Sequence, residues 1–172
     1  MLDYYRMFEH ACAFADCAKL CEVEPHNFEC RFHAHTSAGI VNSAFACEVY
    51  LKALLVFHGA KEKELKNEHQ LSKLWEKYEK KDKQTVLAIQ EDIINWFGSD
   101  RGSLFDELLG VVSDNFKEWR YIYEKNECKT HIQFLRGFRI KLREVCCEQF
   151  YGKTWGEFIN KESIKNRCKK LH

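Results

Sequence analysis

Ala38-Gly-Ile-Val-Asn-Ser-Ala-Phe-Ala-Cys-Glu-Val-Tyr-Leu-Lys-Ala-Leu-Leu-Val-Phe57 is the stretch that decides the fold. Nearly every position is apolar or small, the pattern of a helix buried on most of its sides. Gly59 follows, a residue suited to the left-handed conformation past a helix end, so the sequence predicts a helix from about Ser37 to Phe57. Asn42, Glu48 and Lys52 interrupt the run. Charges at mid-helix cost about 2.5–3.5 kcal/mol each on insertion scales, which argues against a membrane span. Glu48 and Lys52 stand at i and i+4 in the favourable order, acid before base. A buried carboxylate is expensive unless paired. Glu48 therefore calls for a cation, either Lys52 on its own helix or a guanidinium from a neighbour.

Outward from this helix, apolar residues recur at spacings of three and four, and no alternating stretch suggests a strand. A first helix is predicted over Leu2 to Glu22, with Tyr5, Phe8, Cys12, Ala15 and Leu20 on one side. Val23 to His35 reads as a loop and Ala60 to Asn67 as a polar connection. A helix from about Glu68 to Glu79 carries Leu71, Leu74, Trp75 and Tyr78. Asp82 caps another, with the stripe Val86, Ile89, Ile93 and Phe97, ended by Gly98 to Gly102. Ser103 and Asp106 open one long helix carrying Phe105, Leu108, Val112, Phe116, Trp119 and Tyr123. Thr130 and Gln133 form a capping-box pair for the last long helix, with Leu135, Phe138, Leu142 and Val145 inward. The pattern is all-α: an antiparallel four/five-helix bundle with short accessory helices. It makes one domain over residues 1–172, in which 152–172 form a docked short helix, through Trp155 and Phe158, and a basic tail.

Composition limits the function classes. In 172 residues, 27 Lys and Arg balance 26 Asp and Glu, a net charge of +1 that excludes a global basic coat for nucleic acid but not a local patch. A 45% hydrophobic chain with a single proline is neither disordered nor proline-rich. Nine cysteines occur without a Cys-x-x-Cys; Cys12, Cys17, Cys47 and Cys146 fall inside apolar helical patterns and read as reduced core thiols. With no secretory pattern at the N-terminus, a cytoplasmic protein is expected. Cys21, His26, Cys30, His33 and His35 crowd one loop with zinc-ligand chemistry, but their spacing fits no finger or knuckle. Glu-x-x-His and Gly-rich phosphate loops are absent, so no metal or cofactor is expected.

Arg120, His131 and Glu48 are the candidate catalytic residues. Arg120 flanks the stripe of Phe116, Trp119 and Tyr123, and His131 opens the next helix, so the turn between them can bring both to one end of the bundle. A guanidinium holds a phosphate bidentately and an imidazole moves a proton near neutral pH. Glu48 would orient Arg120. Together they suffice for RNA cleavage, in which the 2′-hydroxyl is the nucleophile. Lys52 and a stripe of Arg136, Arg139 and Arg143 are candidate phosphate contacts; the plainer reading of the stripe is an acid-paired helix face.

Three segments in order carry a family resemblance. Asn42-Ser-Ala-Phe-Ala-Cys-Glu-Val-Tyr-Leu-Lys-Ala-Leu-Leu55 resembles the signature helix of HEPN domains, the helical nucleotide-binding domains of higher eukaryotes and prokaryotes. His69-Gln-Leu71 is similar to the His-Asp-Leu that follows that helix in many members, and Phe116-Lys-Glu-Trp-Arg-Tyr-Ile-Tyr-Glu124 to a late segment in which Arg-Tyr ends a helix. The family-like core covers about residues 37–147. The resemblance implies a homodimeric bundle binding RNA or nucleotides, with members that are metal-independent endoribonucleases or toxins in prokaryotic defence. It also implies partners such as a cognate antitoxin or a nucleotidyltransferase. The ribonuclease motif of the family is Arg, four to six residues, then His; here ten residues separate Arg120 from His131, which places the chain in a branch lacking that motif. The other expectation is a non-catalytic dimeric interaction module, in which Glu48, Lys52 and Arg120 form a structural ion-pair network.

Overall fold

The computed structural model describes residues 2–22, 35–97, 103–124 and 127–160. Eight α-helices lie among them up to Tyr151, with residues 155–160 helical beyond, and there is no strand among the described residues. The chain is an all-α bundle.

Helix α1 spans Tyr4–Cys21, α2 Thr36–Phe57, α5 Lys83–Trp96 and α8 Ile132–Tyr151; these are the long rods. Shorter helices complete the set: α3 Glu62–Leu65, α4 Leu71–Glu79, α6 Ser103–Val112 and α7 Asn115–Arg120. α2 is the axis, touching α1, α4, α7 and α8. It is long and apolar enough to cross a bilayer by length and composition, and most of it is buried inside the bundle. Leu51, Leu54 and Leu55 are fully buried there, each contributing about 1.5–3 kcal/mol by leaving water.

Helix α1 runs antiparallel to α2, from Tyr4 on Phe57 to Cys21 beside Gly39. Small residues allow the close approach: Ala11, Ala15 and Ala18 are buried, and a Cβ on Gly39 would meet Cys21 Cβ at 3.1 Å. α1 is also antiparallel to α8, with Tyr5 near Phe150 and Asp16 near Arg143, so α2 and α8 point the same way. Trp155 and Phe158 dock on Phe8. Gly59 takes φ +83° past the end of α2, as its position predicts, and Asp82 caps α5 through Thr85 N at 3.1 Å.

Expectations fail at three points. The single long helix after Ser103 is broken at Ser113-Asp114, because that corner serves another helix. Ser113 O accepts from Leu71 N, Ser113 Oγ accepts from Ser72 N, and both Asp114 oxygens accept from Gln70 Nε2. The corner thus satisfies donors at the start of α4 that would otherwise be orphaned. The second is the start of α8. Thr130 does not cap it; its Oγ1 accepts from the buried Asn115 Nδ2 at 2.6 Å, and His131 is the N-cap. Cys17 and Tyr123, placed on apolar stripes by spacing, are exposed.

Candidate functional site

The site begins with the buried carboxylate of α2. Glu48 is 2% exposed, and its Oε1 accepts from Lys52 Nζ at 2.8 Å. The geometry follows from the helix, since i and i+4 lie one above the other. A second group reaches the same oxygen: His69 Nδ1 lies 2.9 Å away. A carboxylate oxygen can only accept, so Nδ1 carries the hydrogen and Nε2 is left on the far side of the ring. The His69 side chain is 52% exposed. Glu48 Oε2 is buried and has no hydrogen-bond partner among the described residues.

The Ser113-Asp114 corner places His69. By binding Gln70, Leu71 and Ser72 it fixes the strap that carries His69 across α2. A cleft of about 490 Å³ opens there, lined by His69, Gln70, Lys73, Phe116, Lys117 and Arg120 among others. Phe116 anchors its wall, stacked on Phe45 of α2 with ring centroids 4.7 Å apart. The Arg120 guanidinium lies 5.0 Å from the Phe116 centroid, and the His69 ring 6.5 Å from it on a tilted approach. An imidazole held by a buried carboxylate and an exposed guanidinium thus share one cleft. Such a pair can move a proton and hold an anion.

The sequence-predicted residues fare differently. Arg120 lines the cleft, but it is exposed and lies over Phe116 and Tyr121 rather than on Glu48; Lys52 and His69 take the carboxylate instead. His131 is not among the cleft's lining residues. Its Nδ1 accepts from Phe134 N at 3.1 Å and its ring stands edge-on to Phe97, so the side chain serves as a helix cap. The arginine stripe is acid-paired. Arg139, 4% exposed, donates to Ser43 Oγ and pairs with Glu22 at 2.8 Å; Arg136 pairs with the same Glu22 at 3.3 Å. Arg143 meets Asp16 at 3.3 Å and covers Trp155 at 4.3 Å. Lys52 is committed to Glu48.

His69 is the functional candidate that residue chemistry alone overlooks, because nothing local ties it to Glu48; the only signal is its place in the ordered His-Gln-Leu segment. Burial pushes the Cys12 thiol up to about 11 and the Cys47 thiol up to about 12, so neither is a nucleophile near neutral pH. Among the described residues no group of three His, Cys, Asp or Glu could hold a metal; the crowded loop lies outside them except for Cys21 and His35.

Fold and site together define an all-helical bundle with a carboxylate–histidine pair at a cleft whose lining sets Lys73, Lys117 and Arg120 against Glu68 and Asp114. Compared with protein-family models, with curated proteins and with solved structures, the chain matches none.

Proposed function

We propose that this bundle is a HEPN-like, metal-independent RNA-cleaving domain whose reaction centre is Glu48, His69 and Arg120. The observation that carries the reading is the hydrogen bond from His69 Nδ1 to the buried Glu48 carboxylate. It fixes the ring and stabilises the imidazolium that forms when Nε2 takes a proton, the role a buried carboxylate plays behind any histidine base. In the proposed step Nε2 removes the 2′-hydroxyl proton as that oxygen attacks phosphorus. The bond to the 5′-oxygen breaks, and the leaving oxygen takes a proton from solvent. Arg120 holds the non-bridging oxygens, where negative charge grows. Lys73 and Lys117, which line the same cleft, add salt-dependent affinity.

Labelled RNA incubated with EDTA tests this directly. His69→Ala is expected to slow cleavage by about a hundredfold or more, the usual worth of a general base. Arg120→Ala is expected to weaken binding and flatten its salt dependence. Unchanged cleavage in His69→Ala refutes the assignment. A second reading, a non-catalytic interaction module, draws on one observation: Lys52 already neutralises Glu48 within its own helix. It predicts that no RNA is cut.

A further inference from the structure

Beyond Arg120 the chain exposes two aromatic rings. Tyr121 is 40% exposed and Tyr123, in the 3-10 turn Ile122–Glu124, is 77% exposed. Their rings meet edge to face with centroids 6.3 Å apart. The Arg120 guanidinium lies 4.7 Å from the Tyr121 centroid while also resting on Phe116. Had α7 continued, the spacing would have carried Tyr123 along the apolar stripe; the helix ends at Arg120 instead, and Tyr123 stands in water. Beside Tyr121 is a second cavity of about 250 Å³, lined by Asp114, Lys117, Glu118, Tyr121 and Glu124. It shares Asp114 and Lys117 with the His69 cleft, so the two adjoin.

We propose that Tyr121 and Tyr123 are a stacking platform for an unpaired nucleobase, next to the phosphate that Arg120 holds, so that the substrate is single-stranded rather than duplex RNA. The inference rests on the nucleic-acid reading of the cleft and deepens it. Large aromatic rings left in water lose the stabilisation that burial gives, and every base offers a flat face of matching chemistry. The charges sort the ligand along the two cavities. On the His69 side three cations, Lys73, Lys117 and Arg120, outnumber Glu68 and Asp114 and favour the phosphate there. On the Tyr121 side Asp114, Glu118 and Glu124 outnumber Lys117 and oppose a phosphate, and the exposed Glu124 can accept from the amino groups of a base. A duplex keeps its base faces stacked inside and cannot use such a platform.

A short fluorescein-labelled 2′-O-methyl RNA, which lacks the nucleophile and is not cut, provides the probe, as a single strand and annealed to its complement. Anisotropy titrations of the full chain are expected to give at least about tenfold tighter binding to the single strand, the worth of one base–aromatic stack. Tyr121→Ala and Tyr123→Ala should each remove most of that preference, while Tyr121→Phe and Tyr123→Phe, which keep the ring, should retain it. Equal affinity for strand and duplex, or alanine variants that bind like the wild type, overturns the platform and leaves the cleft reading standing. Loss of binding in Arg120→Ala with no effect of either tyrosine has the same meaning. A chain that prefers single strands in this assay yet cuts no RNA keeps the platform and removes the cleavage reading. Binding of neither probe overturns both. A change of sedimentation in Tyr123→Ala without a change of affinity makes the tyrosines a protein contact and overturns the platform alone.

Discussion

Two polar clusters grip α2, one around Glu48 and one at its C-terminal end, and they are built differently. At the end, Gln149 Nε2 donates to Tyr78 Oη, Asp82 Oδ2 and Thr85 Oγ1, at 3.1, 2.9 and 3.4 Å, while its Oε1 faces His58 Nε2 at 3.2 Å. Asp82 also caps α5. Four elements are joined by groups that find partners within the cluster. Around Glu48, one carboxylate oxygen is used twice and the other has no partner among the described residues, and the histidine is half in solvent beside a cleft. A satisfied network makes a joint between helices. An unevenly satisfied one, open on one side, leaves capacity for a ligand, which is where function belongs.

The largest test of this contrast is to remove the charge. Glu48→Leu strands Lys52 in a largely buried position and should cost about 3–5 kcal/mol in denaturant unfolding. Adding Lys52→Met should recover much of that loss, since an apolar pair of similar volume replaces a buried ion pair nearly neutrally. A double variant no better than the single would mean that Glu48 is held by something other than the ion pair.

Next in size is the joint. Asp82→Ala should cost about 1–2 kcal/mol as a lost cap. Burial pushes the Asp82 carboxyl up, but the hydrogen bonds from Thr85 and Gln149 and the nearby His58 outweigh it, and the net shift is downward. A lowered folded-state value means that the contribution is complete above the unfolded aspartate range, about 3.9, and is lost as pH falls through the folded value. Thermal melts of the two proteins should therefore converge in acid, and cleavage at neutral pH should be unaffected. A constant difference down to the acid limit would contradict the assignment. Smallest is His131→Ala, which should cost about 1 kcal/mol as a cap and leave RNA cleavage unchanged. A large loss of cleavage at full stability would return His131 to the site.

Periodicity made α2, its cap at Gly59 and the buried Glu48 legible, because a fully buried helix writes its environment into nearly every residue. The break at Ser113-Asp114 was not, since the apolar spacing continues from Val112 to Phe116 across it and only the donors of α4, far along the chain, require it. That break positions His69, so the histidine of the cleft was hidden with it. The arginine stripe is the acid-paired face that its plainer reading gave, but its partner was not legible for a related reason: Glu22 comes to Arg136 and Arg139 only when α1 packs on α8. Charge pairing across helices is a product of tertiary structure, and spacing along one helix does not encode it.

The central claim is that Glu48 holds His69 by Nδ1–H and frees Nε2. Long-range ¹H–¹⁵N spectra of the imidazole, recorded where the ring is neutral, report the tautomer directly. The wild type should give His69 as the Nδ1–H form, and Glu48→Gln should shift it toward the Nε2–H form common in free histidine. An Nε2–H tautomer in the wild type, or a spectrum indifferent to Glu48, would contradict the account.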